Sequence, residues 1–295
     1  MMTKLLYKIL RYSGLPIIFR EFIQRDKVTI LMLHDINLQS ARRSFEYLSR
    51  KYNFISLRAY VDALKNERTD GIPPKALIVT FDDGHKGNYE LLPLLKQYQI
   101  PATIFLCAGI VDTNRHYWFK HDYTRKLPPG IKLLKNSERL KLLEKYGYSS
   151  FQEYPERHAM RKEEIKSMQE VVDFQAHTVF HPCLPTCSEE EELAEIKDSK
   201  HLLEQKFDLD VYAIAYPNGD YSDRTVEMSR NSGFQCGVTV DYGFNSMTSD
   251  PYRLKRLSIN DTGDLNELIV KSSGLWGFLK TRNGKKNGYT PVVEF

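Results

Sequence analysis

The sequence predicts an α/β protein whose strands and helices alternate, with parallel strands closing into a (β/α) barrel. The clearest sign is the apolar run ALIVTF at 76–81, which is followed by the amphipathic stretch 89–99 and the apolar run PATIFLCAG at 101–109. A strand, a helix and a strand at this spacing form a βαβ unit, whose strands are parallel. Similar apolar runs give seven or eight strands along the chain, and this number favours a barrel over an open sheet.

The elements before this unit follow the same alternation. Residues 1–27 carry apolar residues at helical spacing and predict a short amphipathic helix. VTILMLH at 28–34 has the composition of a buried strand, and helices are predicted over 45–52 and 55–66. These elements place one strand ahead of the βαβ unit.

The second half resumes the alternation after a polar and aromatic insertion at about 111–160. The stretch 188–207 predicts a long helix, with Ser188 as its N-cap and Glu191 completing a capping box. The other later elements are strands at 172–178, 211–217, 234–240 and 256–260 and helices at 163–171 and 223–233. We therefore expect an N-terminal helix at 1–27, a barrel at 28–262 and a C-terminal helix or tail at 263–295.

The totals describe one large domain or two small ones. The chain has 295 residues, 41% of them hydrophobic, which is enough for a sizeable core. The net charge of +4 is too small to indicate a nucleic-acid partner. No window reaches the ~18 apolar residues of a membrane span. We expect no transmembrane segment, and the oligomeric state stays open.

Two features bear on the cell compartment. Lys4, Lys8 and Arg11 interrupt the apolar residues before a signal-peptide core can form. The four cysteines contain no CxxC pair, and Cys183 and Cys187 lack the second pair of a zinc site. We therefore expect reduced thiols and a cytoplasmic protein. The N-terminal helix is expected to pack on the domain, with peripheral contact to a membrane as the alternative.

Polar residues of catalytic type follow the predicted strands. They are His34, Asp82, Asp83, His177, Thr178, His181, Tyr216, Pro217, Asn218 and Gly219. Active sites of (β/α) barrels lie where the strands end, so these residues are expected to meet. His85, which comes after the glycine that follows the two aspartates, is expected to be a loop residue without a role.

The two adjacent aspartates and the HxxxH spacing together predict a metal site. Alone, an Asp-Asp-Gly run is typical of an ordinary turn, and His177 and His181 alone are two ordinary histidines. Together they offer two nitrogens and one oxygen, a set suited to Zn²⁺ with a position left for water. One aspartate of the pair would bind the metal, and its neighbour would then serve as a general base. Because Pro182 follows, we expect HxxxH to form a tight helical turn.

Three motifs in this order carry a resemblance to a known family. TFDDG at 80–84, AHTVFHP at 176–182 and AYPNG at 215–219 resemble the polysaccharide deacetylases, also called the NodB-homology domain or carbohydrate esterase family four. The resemblance covers roughly 28–261. It implies a distorted (β/α)₇ TIM-like barrel and a hydrolase that removes acetyl groups from N-acetylated or O-acetylated sugars in polymers or glycolipids.

The resemblance also implies roles for individual residues. Asp82 resembles the catalytic base, and Asp83, His177 and His181 resemble the metal ligands. The backbone N–H of Asn218 resembles the donor to the oxyanion. The cation would be Zn²⁺, with Co²⁺, Mn²⁺ or Ni²⁺ as alternatives.

The chain departs from the family pattern at two places. Ala215 stands where the family has the arginine that orients the base. Arg256, at the start of the last predicted strand, is the candidate replacement, or else a surface arginine paired with a nearby acid. No histidine follows His201 to act as the usual general acid. His34 is the substitute at a strand end, or a residue that lines the sugar site.

Aromatic residues give weaker indications of a sugar site. Tyr117 and Trp118 are expected either to stack on a sugar ring or to anchor the insertion to the barrel. Tyr216 is open to the same two interpretations, facing either the barrel mouth or the core.

Two rival functions remain on the sequence alone. A deformylase or cyclic-amide hydrolase would use the same ion and base. A carbohydrate-binding homologue would keep the metal and lose catalysis, which the absent arginine and histidine favour. The expected partner is an acetylated saccharide or glycolipid, and a cytoplasmic chain suits a lipid-linked or nucleotide-linked precursor.

Overall fold

The computed structural model describes residues 2–68, 70–120 and 127–282. Within these ranges, eight parallel strands form one curled sheet flanked by helices, so the predicted barrel class is confirmed. The strands are β1 (Val28–Leu33), β2 (Asn53–Phe54), β3 (Ala76–Phe81), β4 (Thr103–Leu106), β5 (Asp173–Ala176), β6 (Ala213–Ala215), β7 (Cys236–Val238) and β8 (Leu257–Ser258). The strand order is β7-β6-β5-β4-β3-β1-β8, and β2 also pairs with β3.

The register of the sheet brings the strand ends together. β1 and β3 pair residue for residue from Val28–Ala76 to Leu33–Phe81. A bridge between Val238 and Leu254 links β7 to the segment before β8, at the other end of the strand order. The residues that follow the strands therefore lie along one rim.

Helices surround the sheet, and those at Leu38–Ser49 and Leu57–Lys65 pack in the apolar clusters on its two different sides. They are α1 (Met2–Tyr12), α2 (Leu15–Ile18), α3 (Leu38–Ser49), α4 (Leu57–Lys65), α5 (Leu92–Gln97), α6 (Asn136–Lys145), α7 (Lys162–Met168), α8 (Glu189–Phe207), α9 (Asp223–Asn231), α10 (Leu265–Ser272) and α11 (Leu275–Arg282). Ser188 caps α8 and forms the predicted capping box with Glu191. The stretch 89–99 starts as a 3₁₀ turn, and α5 begins at Leu92 with a proline in its first turn.

Buried strands separate two parts of the core. All six residues of β1 and all six of β3 are buried, as expected for parallel strands covered on both faces. Leu31 and Val79 belong to the larger apolar cluster, whereas Ile30 and Ile78 belong to a second cluster. Alternate residues thus face opposite sides of the sheet, as the period of two requires.

The chain ends pack against each other beside the barrel. Tyr7 of α1 and Phe19 form a small buried cluster with Val270 and Leu275. The helix predicted at the N-terminus therefore packs on the domain through one of its faces. No helix in the described ranges is both long and apolar enough to cross a membrane. Residues 121–126 of the predicted insertion and residues 283–295 of the predicted C-terminal helix or tail at 263–295 lie outside the described residues.

Candidate metal and catalytic site

Three side chains meet at the rim of the sheet in a compact buried group. Asp83 follows β3, His177 follows β5, and His181 comes four residues later. Oδ1 of Asp83 lies 3.4 Å from Nε2 of His177 and 3.5 Å from Nε2 of His181. One ligand-type atom from each residue lies within 4.8 Å of the others. The two predicted motifs therefore meet in space.

The backbone of these residues is held in an unusual conformation. Asp83, Thr178 and His181 all have positive φ, at 74°, 64° and 58°. Positive φ is uncommon outside glycine, and for a β-branched residue such as Thr178 it is a clear outlier. Such strain persists where the surrounding structure imposes it, commonly at functional sites. The expected helical turn for HxxxH is therefore wrong, because two of its residues have left-handed rather than helical backbone angles.

Hydrogen bonds orient the two histidine rings. Nδ1 of His177 bonds the carbonyl oxygen of Ala215 at 2.8 Å, so Nδ1 carries a proton and Nε2 is the nitrogen that faces Asp83. The N–H of His181 donates to Oγ1 of Thr178 at 3.1 Å, which closes the turn. The ring of Phe119 packs 4.6 Å from that of His181.

Tyr117 and Trp118 support the site from behind rather than facing a sugar. The hydroxyl of Tyr117 donates to the carbonyl oxygen of Asp83 at 2.8 Å, and Nε1 of Trp118 donates to that of His181 at 2.9 Å. The two side chains are 0% and 4% exposed, respectively. Stacking of Trp118 on a sugar is therefore wrong for this structure. The other interpretation, anchoring of the insertion, fits.

His85 is a residue that sequence reasoning missed. It is buried, and its Nε2 lies 2.9 Å from Oδ2 of Asp83. Its Nδ1 lies 3.3 Å from Nζ of Lys120, and its ring packs against Tyr117. His85 thus contacts the carboxylate oxygen of Asp83 that points away from His177 and His181. It is part of the site, contrary to the expectation of a loop residue without a role.

Glu195 of α8 is a second residue that the sequence did not reveal. Its Oε2 accepts hydrogen bonds from the backbone N–H groups of Val179 and Phe180, each at 2.8 Å. These two residues lie between the paired histidines, so Glu195 ties the turn to α8. Burial raises the pKa of Glu195 to about 7, although the hydrogen bonds from Phe180, Val179 and Thr178 favour the ionised form.

The raised pKa makes the stability of the chain depend on pH through Glu195. Because its folded pKa exceeds that of an unfolded glutamate, its favourable contribution is complete below about pH 4.3 and is lost as the pH rises through about 7. From about pH 5 to about pH 8, wild type should lose on the order of 2 kcal/mol relative to Glu195→Gln. Urea unfolding at several pH values measures this. Glu190→Gln, at an exposed position of the same helix, is the control, and parallel profiles for wild type and Glu195→Gln would contradict the expectation.

Asp82 forms a bidentate ion pair with Arg256, which lies 174 positions later in the chain. Nη1 and Nη2 of Arg256 lie 2.7 and 2.8 Å from the two carboxylate oxygens of Asp82. Nε of Arg256 donates to the carbonyl oxygen of Thr239, and both Asp82 and Arg256 are buried. Burial alone would raise the pKa of Asp82, but Arg256 and His177 outweigh it and hold the pKa below its ordinary value. Arg256 is therefore buried against Asp82 and is not a surface arginine, and its replacement of the absent family arginine stays a prediction.

The other three predicted residues, His34, Asn218 and Tyr216, lie in different environments. His34 is half-buried at the end of β1, and its charge lowers the pKa of Asp82. Asn218 follows β6 with a φ of 57°, and its side chain contacts Lys132. Tyr216 is fully buried and donates to the carbonyl oxygen of Tyr252, so the predicted contact of its side chain with substrate is wrong.

The group of Asp83, His177 and His181 fits a divalent cation. Oδ1 of Asp83 is buried and has no hydrogen-bond partner within the residues that the structure describes. Burial lowers the pKa of His181 to about 3, which leaves the ring neutral. Burial also acts to lower the pKa of His177, but Asp82 and Asp83 outweigh it and the pKa is raised. Two nitrogens and a carboxylate oxygen form an open ligand set.

Comparison with known sequences places this geometry in a family. Residues 70–237 match the profile of the polysaccharide deacetylase family. The chain is 25% identical to YxkH of Bacillus subtilis (strain 168) over 63% of its own length and 52% of that protein. It is 24% identical to the poly-beta-1,6-N-acetyl-D-glucosamine N-deacetylase of Staphylococcus epidermidis (strain ATCC 35984), over 74% of this chain and 64% of the other. The chain thus spans only about half to two thirds of these relatives.

Solved structures share the fold. IcaB from Ammonifex degensii superposes with a TM-score of 0.62 at 19% identity, covering 85% of this chain and 98% of that one. The Streptococcus pyogenes deacetylase PplD gives a TM-score of 0.58 at 22% identity, covering 83% and 99%. The family profile spans more than half of the chain and includes the motifs of Asp82, Asp83, His177 and His181. The chain belongs to the polysaccharide deacetylase family.

Proposed function

We propose that this chain is a metal-dependent deacetylase that hydrolyses the N-acetyl or O-acetyl group of a sugar in a polysaccharide, oligosaccharide or glycolipid precursor. One observation carries the proposal: a buried carboxylate with its own bidentate arginine, Asp82, adjoins the buried group of Asp83, His177 and His181. A site that only bound a cation would gain nothing from a second carboxylate held in this way. The names of the relatives point to the same chemistry.

Each residue of the site has a separate role in amide hydrolysis. Asp83, His177 and His181 would hold a divalent cation, which would supply the Lewis acidity to polarise the acyl group and bring the pKa of water toward ~7. Asp82 accepts the proton of the attacking water, because Arg256 keeps the carboxylate ionised and fixes its direction. The backbone N–H of Asn218 donates to the oxygen on which negative charge develops. His34 then protonates the leaving amine, and acetate and an amino sugar are released.

Zinc is the cation proposed, with Co²⁺, Mn²⁺ or Ni²⁺ as the alternatives that affinity order alone leaves open. His181→Ala should reduce the bound zinc from about one ion per chain to nearly none, because three protein ligands are the usual minimum for such a site. Elemental analysis after dialysis measures this. His201→Ala, which removes an exposed histidine of α8, is the control and should keep the ion.

The affinity for zinc should also rise with pH. Zinc binds neutral imidazole, and the raised pKa of His177 means that a proton must be displaced on binding. Titrations at about pH 6 and pH 8 should therefore differ, with tighter binding at the higher pH. An affinity that did not change with pH would contradict the protonation assigned to His177.

The reaction is tested by acetate release from β-1,6-linked N-acetylglucosamine oligomers with zinc-loaded protein. Release of acetate supports deacetylation. Release of formate only, from the matched N-formyl oligomers, would assign the site to a deformylase. Binding of oligomers without any release would identify a carbohydrate-binding homologue that has lost catalysis.

The proposal includes a cytoplasmic location and an activated sugar precursor as substrate. All four cysteines are free and buried, which is in keeping with a reducing compartment. Cell fractionation with an antibody to the chain tests the location.

A further inference from the structure

The first helices of the chain expose an unusual amount of apolar surface. Sixteen large hydrophobic side chains are exposed in the described residues, and nine of them fall between residues 5 and 23. The nine are Leu5, Leu6, Ile9, Tyr12, Leu15, Ile17, Ile18, Phe22 and Ile23. We call these nine side chains the N-terminal apolar surface. Single exposed apolar residues need no explanation, but a concentration of this kind marks an interaction site.

Helix α1 has two apolar faces, and the protein covers only one. Tyr7 is 5% exposed and packs with Val270 and the start of α11. Leu5, Ile9 and Tyr12, at spacings of four and three residues, lie on another face and are 59%, 58% and 70% exposed. A helix with apolar residues on this much of its circumference is normally covered on both sides.

The next helical segment continues the same surface. Phe19 packs inward, with its ring 5.3 Å from that of Phe278 of α11. Ile18 and Phe22, four residues apart, are 50% and 77% exposed, and Phe278 itself is 50% exposed. The N-terminal apolar surface therefore extends along both helical segments and reaches α11.

The charged residues of α1 are all basic, whereas Glu21 of the next segment is paired with Arg20 and Lys75. Lys4 and Lys8 are exposed one turn apart on α1, next to the stripe of Leu5 and Ile9. No acidic residue occurs before Glu21. Basic side chains that border an apolar face are typical of helices that lie in the interface of a membrane, where the lysine stems reach up to the headgroups.

We propose that residues 2–23 dock on the surface of an anionic lipid bilayer. The apolar side chains enter the boundary of the acyl chains, and Lys4 and Lys8 meet the acidic headgroups. A second copy of the chain fits less well, because it would bring two surfaces of the same positive sign together. The segment 283–295 would not complement the positive charge of this surface either, since it carries Lys285 and Lys286 and only one acidic residue, Glu294.

The docked helix would lie close to the rim of the barrel that holds the site. Nη1 of Arg11 donates to Oδ1 of Asn266 in the first turn of α10, at 3.0 Å. Asp261, five residues earlier, accepts from the N–H of His34 at 3.2 Å, and five residues span at most ~18 Å. Docking would thus hold the site rim near the membrane surface. It is independent of the proposed reaction, because binding to lipid needs no turnover.

Vesicle binding of the full chain tests the proposal. Cosedimentation with vesicles of phosphatidylcholine and phosphatidylglycerol should capture the chain, with weaker capture by phosphatidylcholine alone. Leu5→Ser/Ile9→Ser/Phe22→Ser should abolish capture. Lys4→Gln/Lys8→Gln should weaken it about thirtyfold on anionic vesicles only, since each lysine near such a surface contributes separately.

A matched control removes exposed apolar residues elsewhere. The control variant replaces three exposed leucines, Leu133→Ser/Leu193→Ser/Leu202→Ser. It should bind vesicles as wild type does. Circular dichroism of each variant confirms that it is folded. Equal capture by neutral and anionic vesicles, or capture that survives the Leu5/Ile9/Phe22 change, would overturn the proposal. The proposal would also fail if wild type did not bind vesicles but formed a dimer that the Leu5/Ile9/Phe22 change dissociates. The surface would then join two copies of the chain.

Discussion

Replacing Asp82 by asparagine is expected to lower kcat by roughly 10³-fold while the zinc content stays near one ion per chain. The amide keeps the shape of the carboxylate and one acceptor for Arg256, but it cannot take a proton from water. Acetate release and elemental analysis on the same sample measure both quantities.

The control for this change is a carboxylate at the opposite end of the sheet. Asp173→Asn alters a half-buried acid at the start of β5, where its carboxylate accepts a hydrogen bond from the hydroxyl of Tyr212. It should leave kcat within about twofold, as expected for a residue that takes no part in the chemistry. Substantial turnover by Asp82→Asn would remove Asp82 from the role of base, and loss of zinc in this variant would place it among the ligands instead.

Arg256→Met is expected to produce the largest loss of stability of any change at the site. It leaves the carboxylate of Asp82 buried without its cation, which typically costs 3–5 kcal/mol. Urea unfolding of the metal-free chain at neutral pH measures the change. Arg256→Lys should recover only part of the loss, because a single ammonium cannot match both oxygens of the carboxylate.

The pairing itself is tested by a double variant. Asp82→Asn/Arg256→Met removes both charges, so it should be more stable than Arg256→Met alone. If the two single changes simply added, Asp82 and Arg256 would not be coupled. The bidentate contact at 2.7 and 2.8 Å would then contribute nothing measurable to stability.

The features that could be predicted from the sequence rest on local or periodic signals. β3 is predicted at 76–81 and is observed at those residues, because a six-residue run with five apolar residues indicates a buried strand or a short buried helix, and the flanking turn residues favour the strand. The start of α8 was predicted because Ser188 and Glu191 form a signal three residues apart. Arg256 could be named as one of two open interpretations, because it opens the last predicted strand and an arginine can hold both oxygens of a carboxylate.

The features that were missed depend on contacts between distant elements. His85 follows a glycine turn, and nothing local shows that its ring packs on Tyr117 and Asp83. The burial of Trp118 depends on how the insertion folds back on the turn at His181. Glu195 left no local signal, because the burial of Glu192, three residues earlier on α8, is seen only in the structure. The run of four glutamates at 189–192 that precedes it predicts an exposed stretch instead.

The pair of Asp82 and Arg256 joins residues 174 positions apart, and this separation has a consequence during synthesis. At a translation rate of 5–20 residues per second, Asp82 is polymerised about 9 to 35 s before Arg256. For that interval the growing chain holds β3 and its acidic end without the cation that satisfies it. The nascent barrel therefore cannot complete its interior until β8 has emerged from the ribosome, and the last strand acts as the step that commits the chain to its native state.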